Sequence, residues 1–176
     1  MARNSLPGAR SRSLSQLVIW IAAAMSAGAI IYPLMGIAAT LLTTTTTIYA
    51  VQIARNPNTG LSPAVKEALV LGLALVLPLT LVTAGTMSGM GTHFIGGSGD
   101  DATGMPIMGW SRDGGDLRVA HFFATHALHF IPAFGLVSAV LFGGSRRALV
   151  RIFAALFVAF VVLLFAQALS GRPFIP

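Results

Sequence analysis

Long apolar runs, separated by short segments that hold nearly all of the charged residues, form the main pattern of this chain. Three of these runs occupy residues 65–86, 119–142 and 148–169. A helix needs about 20 apolar residues to cross a hydrocarbon core that is about 30 Å thick, and each run has that length. The pattern therefore predicts at least three membrane-spanning helices.

A further run, residues 17–53, contains no Asp, Glu, Lys or Arg and is too long for one ordinary span. As a single helix it would be about 55 Å long at 1.5 Å per residue, nearly twice the thickness of the hydrocarbon core. The string Tyr32-Pro33-Leu34-Met35-Gly36 lies near its middle. Proline interrupts helices and glycine permits sharp turns, so this string predicts two spans, residues 17–34 and 36–53.

Basic residues indicate how the spans are oriented, because cytoplasmic segments of membrane proteins carry an excess of Lys and Arg. Five spans place a basic amino-terminal tail, residues 1–16, inside and a long loop, residues 87–118, outside. The basic residues that then fall inside are Arg3, Arg10, Arg12, Arg55, Lys66, Arg146, Arg147 and Arg151. Four spans, the alternative, would move the last three of these outside. We therefore predict five spans with the amino terminus in the cytoplasm.

Composition supports a membrane protein, since 55% of the 176 residues are hydrophobic and only 9% are charged. Soluble domains carry about 25% charged residues. The predicted fold class is an all-α, polytopic transmembrane helix bundle that forms one domain over residues 1–176. The 11 Lys and Arg lie between apolar runs and indicate orientation, not nucleic-acid binding. Because the chain has no cysteine, disulfides, thiol catalysis and iron–sulfur clusters are excluded.

Glycine-rich stretches in the long loop do not match a nucleotide site or a hydrolase. Residues 96–101 and 113–116 are typical of turns, and no Lys follows the glycines as a phosphate loop requires. Ser98 and Ser111 lack the Gly-x-Ser-x-Gly pattern of a nucleophile elbow. The sequence therefore defines no enzymatic reaction.

All four histidines lie between the third and fourth predicted spans or inside the fourth: His93, His121, His126 and His129. An ionisable side chain inside a membrane is costly, so it is a functional candidate by default. On a continuous helix at 100° per residue, His126 and His129 would share one face, about 60° apart. His121 would lie nearer the outer surface, so the histidines would form a ladder that descends from the outer side.

Two cofactors fit such a ladder. Haem b takes axial histidine ligands, which His93, His121, His126 or His129 could supply from one or two chains. Copper or another transition metal could instead be held by imidazole and by thioether sulfur. The candidate metal ligands are His93, His126, His129, Met87 and Met90.

A protein without a cofactor is the third interpretation of the same residues. His121 would then cap the membrane interface, and His126 and His129 would form hydrogen bonds to neighbouring helices. The methionines would fill gaps in the packing.

The charged residues of the long loop have two interpretations. Arg112, Asp113, Asp116 and Arg118 could form an ion-paired lid over the histidines, with Trp110 as an anchor at the membrane interface. Alternatively, they form a solvated loop that keeps this segment outside the membrane.

The string Gly109-Trp110-Ser111-Arg112-Asp113-Gly114-Gly115-Asp116-Leu117-Arg118-Val119-Ala120-His121-Phe122, continued by His126-Ala127, resembles a segment of small bacterial multi-pass membrane proteins of uncharacterised function. The resemblance implies a setting in the bacterial inner membrane. It implies no activity, cofactor or substrate.

These observations favour a small inner-membrane redox or metal-binding protein that holds haem b or a transition metal near the outer face. The alternative function is that of a non-catalytic accessory subunit in a larger membrane complex, which could itself contain a pigment or cofactor. The expected partners are the lipid bilayer and a second copy or a larger complex, and no nucleic acid.

Overall fold

The computed structural model describes residues 8–102 and 104–176, without the side chains of residues 8–15 and 21–29. Arg3 and the rest of residues 1–7 of the predicted tail lie outside this part of the chain. The described residues form five helices and one short sheet, in this order: α1 Gly8–Arg55, α2 Pro63–Met90, β1 Phe94–Ile95, β2 Gly115–Asp116, α3 Leu117–Thr125, α4 Ala127–Phe142 and α5 Arg147–Leu169.

Helix α1 continues through Pro33 and Gly36, where the sequence predicts a turn. Proline removes one helical hydrogen bond, and helices that cross membranes tolerate this loss where other groups satisfy the freed carbonyl. The chain divides into two units, residues 1–41 and 42–176. The second unit contains the end of α1 and all of the later elements.

Among the described residues, three helical segments are long and apolar enough to cross a membrane: Ile30–Arg55, Pro63–Met90 and Arg147–Leu169. Helices α3 and α4 qualify as a fourth span when taken together, although they are bent by 51°. These lengths agree with the membrane-embedded helical protein that the sequence predicts. The count of five spans stays a prediction.

Helices α2 and α4 pack closely because glycines face their neighbours. A Cβ atom on Gly72 would lie 2.7 Å from Cδ of Pro132, and one on Gly135 would collide with the side chain of Ala68. Alanines and glycines at a helix interface let two backbones approach, which is the usual packing mode in membranes. The core continues along α5 through the buried Val150 and Val161.

The predicted fourth span is broken at His126, between α3 and α4. The Thr125 hydroxyl donates to the carbonyls of His121 and Phe122 at 3.0 and 2.9 Å, and Nδ1 of His126 lies 2.7 Å from the Phe122 carbonyl. These side chains therefore form hydrogen bonds to carbonyls in the last turn of α3 and compete with backbone N–H groups for them. Such competition bends helices. The ladder geometry expected from a continuous helix does not apply across this bend.

Candidate functional site

The side chain of His126 has a defined hydrogen-bonding state. Its Nδ1 atom is 2.7 Å from the Phe122 carbonyl, and a carbonyl oxygen only accepts hydrogen bonds. Nδ1 therefore carries a proton, so in the neutral ring Nε2 is the nitrogen that has a free lone pair. A backbone carbonyl that fixes the tautomer in this way is the usual outer partner of a metal-ligating histidine.

His129 lies beside His126 and is exposed on the surface of the chain. The centroids of the two imidazole rings are 5.3 Å apart, with an angle of 37° between the ring planes. On the other side, the ring of Phe122 stacks on His126 at 4.1 Å. We call His126 and His129 the histidine pair.

His121 joins helix α3 to helix α2. Its Nδ1 is 3.1 Å from Oγ1 of Thr83 on α2. The Thr83 hydroxyl donates to the Leu79 carbonyl at 3.0 Å, so its oxygen is left to accept from His121. This bond is a contact between α3 and α2, and Thr83 is a partner that the sequence did not single out.

The other candidate ligands lie toward the amino-terminal end of α3. The His93 carbonyl accepts from the backbone N–H of Leu117 at 2.9 Å, and the buried Nε2 of His93 has no hydrogen-bond partner. Ala127, the residue after His126, adjoins Gly72 on α2 and so marks the level of the histidine pair on that helix. Met87 lies roughly four turns further along α2 than Gly72, or about 22 Å at 1.5 Å per residue.

The structure thus brings together only part of the predicted ligand set. Met90 lies in the last turn of α2, further than Met87 from the level of the histidine pair. Among the described residues, no group of three or more His, Asp or Glu side chains is arranged to hold a metal ion. Within one chain, the histidine pair is the only close pair of imidazole rings in that part of the structure.

A cap of loop residues lies next to the start of α3. It consists of residues 91–102 and 104–116 together with the carboxyl-terminal residues 170–176, and we call it the cap. Strands β1 and β2 pair in antiparallel fashion, with Phe94 opposite Asp116 and Ile95 opposite Gly115. Gly115 leaves no room for a side chain because the carbonyl of Ala168 on α5 lies against it. The sheet is thereby held against α5.

Asp116 and Arg118 form an ion pair where the cap meets the start of α3. The Asp116 carboxylate is fully buried and accepts from the guanidinium of Arg118 at 2.7 Å and from the backbone N–H groups of Ser111 and Arg118, each at 3.0 Å. The guanidinium also bonds Asp101 at 2.6 Å and lies 5.2 Å above the ring of Phe94. Asp101 and Phe94 were not expected as partners of Arg118.

Burial acts on the pKa of Asp116 in one direction, and hydrogen bonding and charge act in the other. Burial raises the pKa of its carboxyl, but hydrogen bonds from Arg118 and Ser111 and the positive charge of Arg118 outweigh burial. The net result is a pKa below the ordinary value, so Asp116 is ionised at neutral pH. A buried carboxylate with this many donors holds a fixed geometry.

Asp113 belongs to a separate hydrogen-bonded turn at the surface. The Ser111 hydroxyl donates to one of its carboxylate oxygens at 2.8 Å, and the backbone N–H of Ser98 donates to the other at 3.0 Å. These bonds lower the pKa of Asp113, with the Ser111 hydroxyl making the largest contribution. Asp113 therefore joins residues 96–101 to residues 111–114 and is not paired with Arg112.

Trp110 is buried inside the cap and does not serve as an exposed interface anchor. Its ring meets Phe122 and Phe174 edge-on, at centroid distances of 5.5 and 5.7 Å. The carboxyl-terminal segment is held in turn by Gln167, whose side chain donates to the Pro173 carbonyl at 2.6 Å, and by Arg112, which donates to the Pro176 carbonyl at 3.2 Å. Sequence reasoning missed Gln167 and Phe174, since neither stands in a recognisable motif.

The fold and site together define a helical membrane protein with a structured polar cap and a pair of histidines at a helix break. Comparison with protein families, with curated proteins and with solved structures found no match for this chain.

Proposed function

We propose that this chain is a small bacterial inner-membrane protein that binds a transition metal ion, copper first, through His126 and His129. The observation that supports it best is the fixed tautomer of His126 beside a second imidazole. A neutral imidazole with an unprotonated Nε2 is the form of histidine that binds metals. Because the hydrogen bond to the Phe122 carbonyl fixes this tautomer before a metal binds, the free-energy cost of selecting it is already met.

The spacing of the two rings supports a single shared ion. Metal–nitrogen bonds of about 2.0–2.1 Å place the ring centroids of two imidazoles on one ion roughly 4.5 Å apart at a right angle and about 5.2 Å apart at a tetrahedral angle. The centroids of His126 and His129 are 5.3 Å apart. Two ligands on opposite sides of an ion would be further apart, at roughly 6.4 Å.

Copper is the preferred ion because imidazole binds it most strongly among the divalent metals of the first transition row. The thioether donors expected from the sequence do not contribute to this preference, since Met87 and Met90 lie far along α2 from the pair. The proposed site is therefore a nitrogen site.

We place this site nearer the outer face of the membrane, with five spans and a cytoplasmic amino terminus. The distribution of Lys and Arg supports that orientation. The cap, with Asp100, Asp101, Asp113 and Asp116, would then face the outside.

Haem b is the second candidate ligand. The exposed position of His129 on an apolar helix supports it, because a porphyrin could lie against that surface. The spacing of the pair argues that His126 and His129 would not both ligate the same iron, since axial ligands lie on opposite faces of the haem. One of the two histidines would ligate the haem iron, and the second axial ligand would come from another residue.

An accessory subunit of a larger membrane complex is the candidate from another class. Phe122, His126 and His129 form a column of neighbouring rings, and centroid distances of 4.1 and 5.3 Å are ordinary for aromatic packing. In this case the exposed imidazole of His129 would meet a partner helix.

The test is to purify the full chain in mild detergent and to measure its metal content and its absorption spectrum before and after dithionite. We expect stoichiometric copper that is lost in His126→Ala and His129→Ala. His93→Ala, which lies away from the pair, serves as the matched control and should keep the metal.

A Soret band that disappears in His126→Ala or His129→Ala would identify the bound ligand as haem instead of copper. A folded protein that remains colourless and free of metal after exposure to copper would contradict both ligands and favour the accessory subunit.

A further inference from the structure

Two turns touch each other at the end of the bundle away from the cap. One turn, residues 56–62, joins α1 to α2, and the other, residues 143–146, joins α4 to α5. The backbone N–H of Ala64 donates to the Gly144 carbonyl at 2.8 Å, and a Cβ atom on Gly144 would collide with the side chain of Ser62. The starts of α2 and α5 are thereby held side by side.

Five basic residues of the described chain lie at this end of the bundle. They come from the last turn of α1, the first two turns of α2 and α5 and the turn before α5: Arg55, Lys66, Arg146, Arg147 and Arg151. Nζ of Lys66 donates to the Asn56 carbonyl at 2.7 Å, and Nε of Arg151 donates to Oε1 of Glu67 at 2.7 Å. These two contacts join residues that are distant in sequence. We call the five residues the basic surface.

The chain has little negative charge with which to balance the basic surface. Among the described residues, Glu67 is the only carboxylate at this end, and it pairs with Arg151. The other four carboxylates are the aspartates of the cap, beyond the opposite end of α2, which is 28 residues or about 42 Å long. That length is about four times the Debye length at 0.1 M ionic strength. Residues 1–41 contain no Asp or Glu, so the first unit has no carboxylate side chain to add.

The basic surface lies where the apolar helices end. Arg55 is the last residue of one candidate span, and Lys66 and Arg151 lie about one turn inside two others. Lys and Arg near the ends of spans extend their charged groups to the level of the lipid headgroups. An anion that meets these groups therefore lies at the surface of the bilayer.

Helix starts add to the positive charge of this surface. Helices α2 and α5 both begin here, and α5 begins without a hydrogen bond from a capping side chain. The N–H groups at the start of a helix carry partial positive charge and favour phosphate oxygens. They therefore favour the same kind of ligand as the basic side chains.

We propose that the basic surface binds the phosphate headgroup of anionic phospholipid, with phosphatidylglycerol as the representative ligand. Clusters of Lys and Arg next to membrane spans attract anionic lipid, and a guanidinium group can bond two phosphate oxygens at once. Arg146 and Arg147 are exposed, and neither has a carboxylate partner among the described residues. The proposal goes beyond metal binding and does not depend on it, because the basic surface and the histidine pair share no residue.

The experiment measures the lipid selectivity of the full chain by native mass spectrometry, after release from bilayer discs that contain equal amounts of phosphatidylcholine and phosphatidylglycerol. We expect the parent protein to retain phosphatidylglycerol in preference to phosphatidylcholine. Each Lys or Arg near a membrane surface strengthens the binding of anionic lipid roughly fivefold. The double variant with Arg146→Gln and Arg147→Gln should therefore lower the preference about tenfold or more.

The matched control is the double variant with Arg112→Gln and Arg172→Gln, which removes two positive charges from the cap. The control should keep the preference of the parent protein, and circular dichroism would check that both double variants are folded. A second measurement needs no variant, because raising the ionic strength should weaken the preference of the parent protein.

Equal retention of the two lipids by the parent protein would overturn the proposal. An equal loss of preference in the two double variants would also overturn it, because net charge and not this surface would then select the lipid. Displacement of phosphatidylglycerol by inorganic phosphate would identify a site for free phosphate and would overturn the lipid as its ligand. Copper content is measured separately, so none of these outcomes decides the proposed function.

Discussion

Asp116 connects the cap to the start of α3 through one carboxylate. It receives bonds from the backbone of Ser111, from the backbone of Arg118 and from the Arg118 guanidinium, and it caps the amino terminus of α3. An acceptor at this position satisfies free N–H groups and interacts well with the helix dipole. The carboxylate therefore positions α3, which carries His121 and leads into His126.

Replacing Asp116 with Ala should destabilise the protein strongly. The change leaves a partly buried guanidinium and two backbone donors without their acceptor, at a cost of about 3 kcal/mol. Asp101→Ala is the control, because Asp101 also bonds Arg118 but its side chain is 57% exposed. Loss of an exposed partner should cost about 1 kcal/mol or less. Thermal unfolding in detergent would compare the two, and equal losses would contradict a special role for Asp116.

The same carboxylate makes the stability of the cap dependent on acid. Because the pKa of Asp116 in the folded protein lies below the ordinary value of 3.8, its contribution is fully present above that value. The contribution is lost as the pH falls through the lower, folded-state pKa. We expect the fluorescence of the buried Trp110, measured in a Trp20→Phe background, to stay constant down to about pH 4 and to change below it. A transition near neutral pH would contradict this account.

The polar residues of the cap were largely predictable as a group, and their pairing was not. Turn-forming glycines and four aspartates close to Arg112 and Arg118 indicate an ion-paired loop. The contacts of Arg118 with Asp101 and Phe94 depend on the strand pairing of Phe94 with Asp116, which brings two distant segments together. No local sequence pattern specifies that pairing.

At the level of elements, the contact between α2 and α4 depends on positions without side chains. Gly135 faces the side chain of Ala68 on α2, and Gly85 faces open space on the same helix as Ala68. Both glycines lie inside helices, and they differ in whether another side chain lies against them. They therefore separate the packing effect of a methyl group from its effect on helix propensity.

Gly135→Ala should weaken the packing of α2 against α4 by about 1–3 kcal/mol, because the new methyl group overpacks the interface. Gly85→Ala meets no neighbour and should change stability by about 1 kcal/mol or less, in the stabilising direction, because alanine favours helix. Chemical unfolding followed by circular dichroism would measure both. Similar destabilisation by the two changes would show that the α2–α4 contact differs from the one described.

The break between α3 and α4 shows what the apolar pattern leaves out. Residues 119–142 have the length and composition of one span, yet the structure bends by 51° near their start. Hydroxyl and imidazole side chains at Thr125 and His126 compete for helical carbonyls, and this competition depends on rotamers that hydropathy does not describe. The close approach of His126 and His129 was predictable, because it arises within a short stretch of chain.

For the whole molecule, the sequence predicted a helical membrane protein and the long apolar helices agree with it. Pro33 illustrates the limit of that reasoning, since proline permits a turn but does not require one, and α1 passes through it as helix. Charge placement remains the argument for five spans.

Topology can be tested with reporters on either side of the fourth predicted span. A reporter fused after Asp101, in the cap, should be found outside, and one fused after Ser145 should be found in the cytoplasm, because basic residues favour that side. Activity of an alkaline phosphatase or a fluorescent protein would report each location. A cytoplasmic position for the fusion after Asp101 would contradict the five-span arrangement.

Copper titration of the metal-free protein tests the central claim most directly. If His126 and His129 are the ligands, the parent protein and His93→Ala should bind copper with equal affinity, while His126→Ala and His129→Ala should each bind at least tenfold more weakly, a loss of about 1.4 kcal/mol or more. Equal affinity in all four proteins, or a loss confined to His93→Ala, would contradict a metal site at the histidine pair.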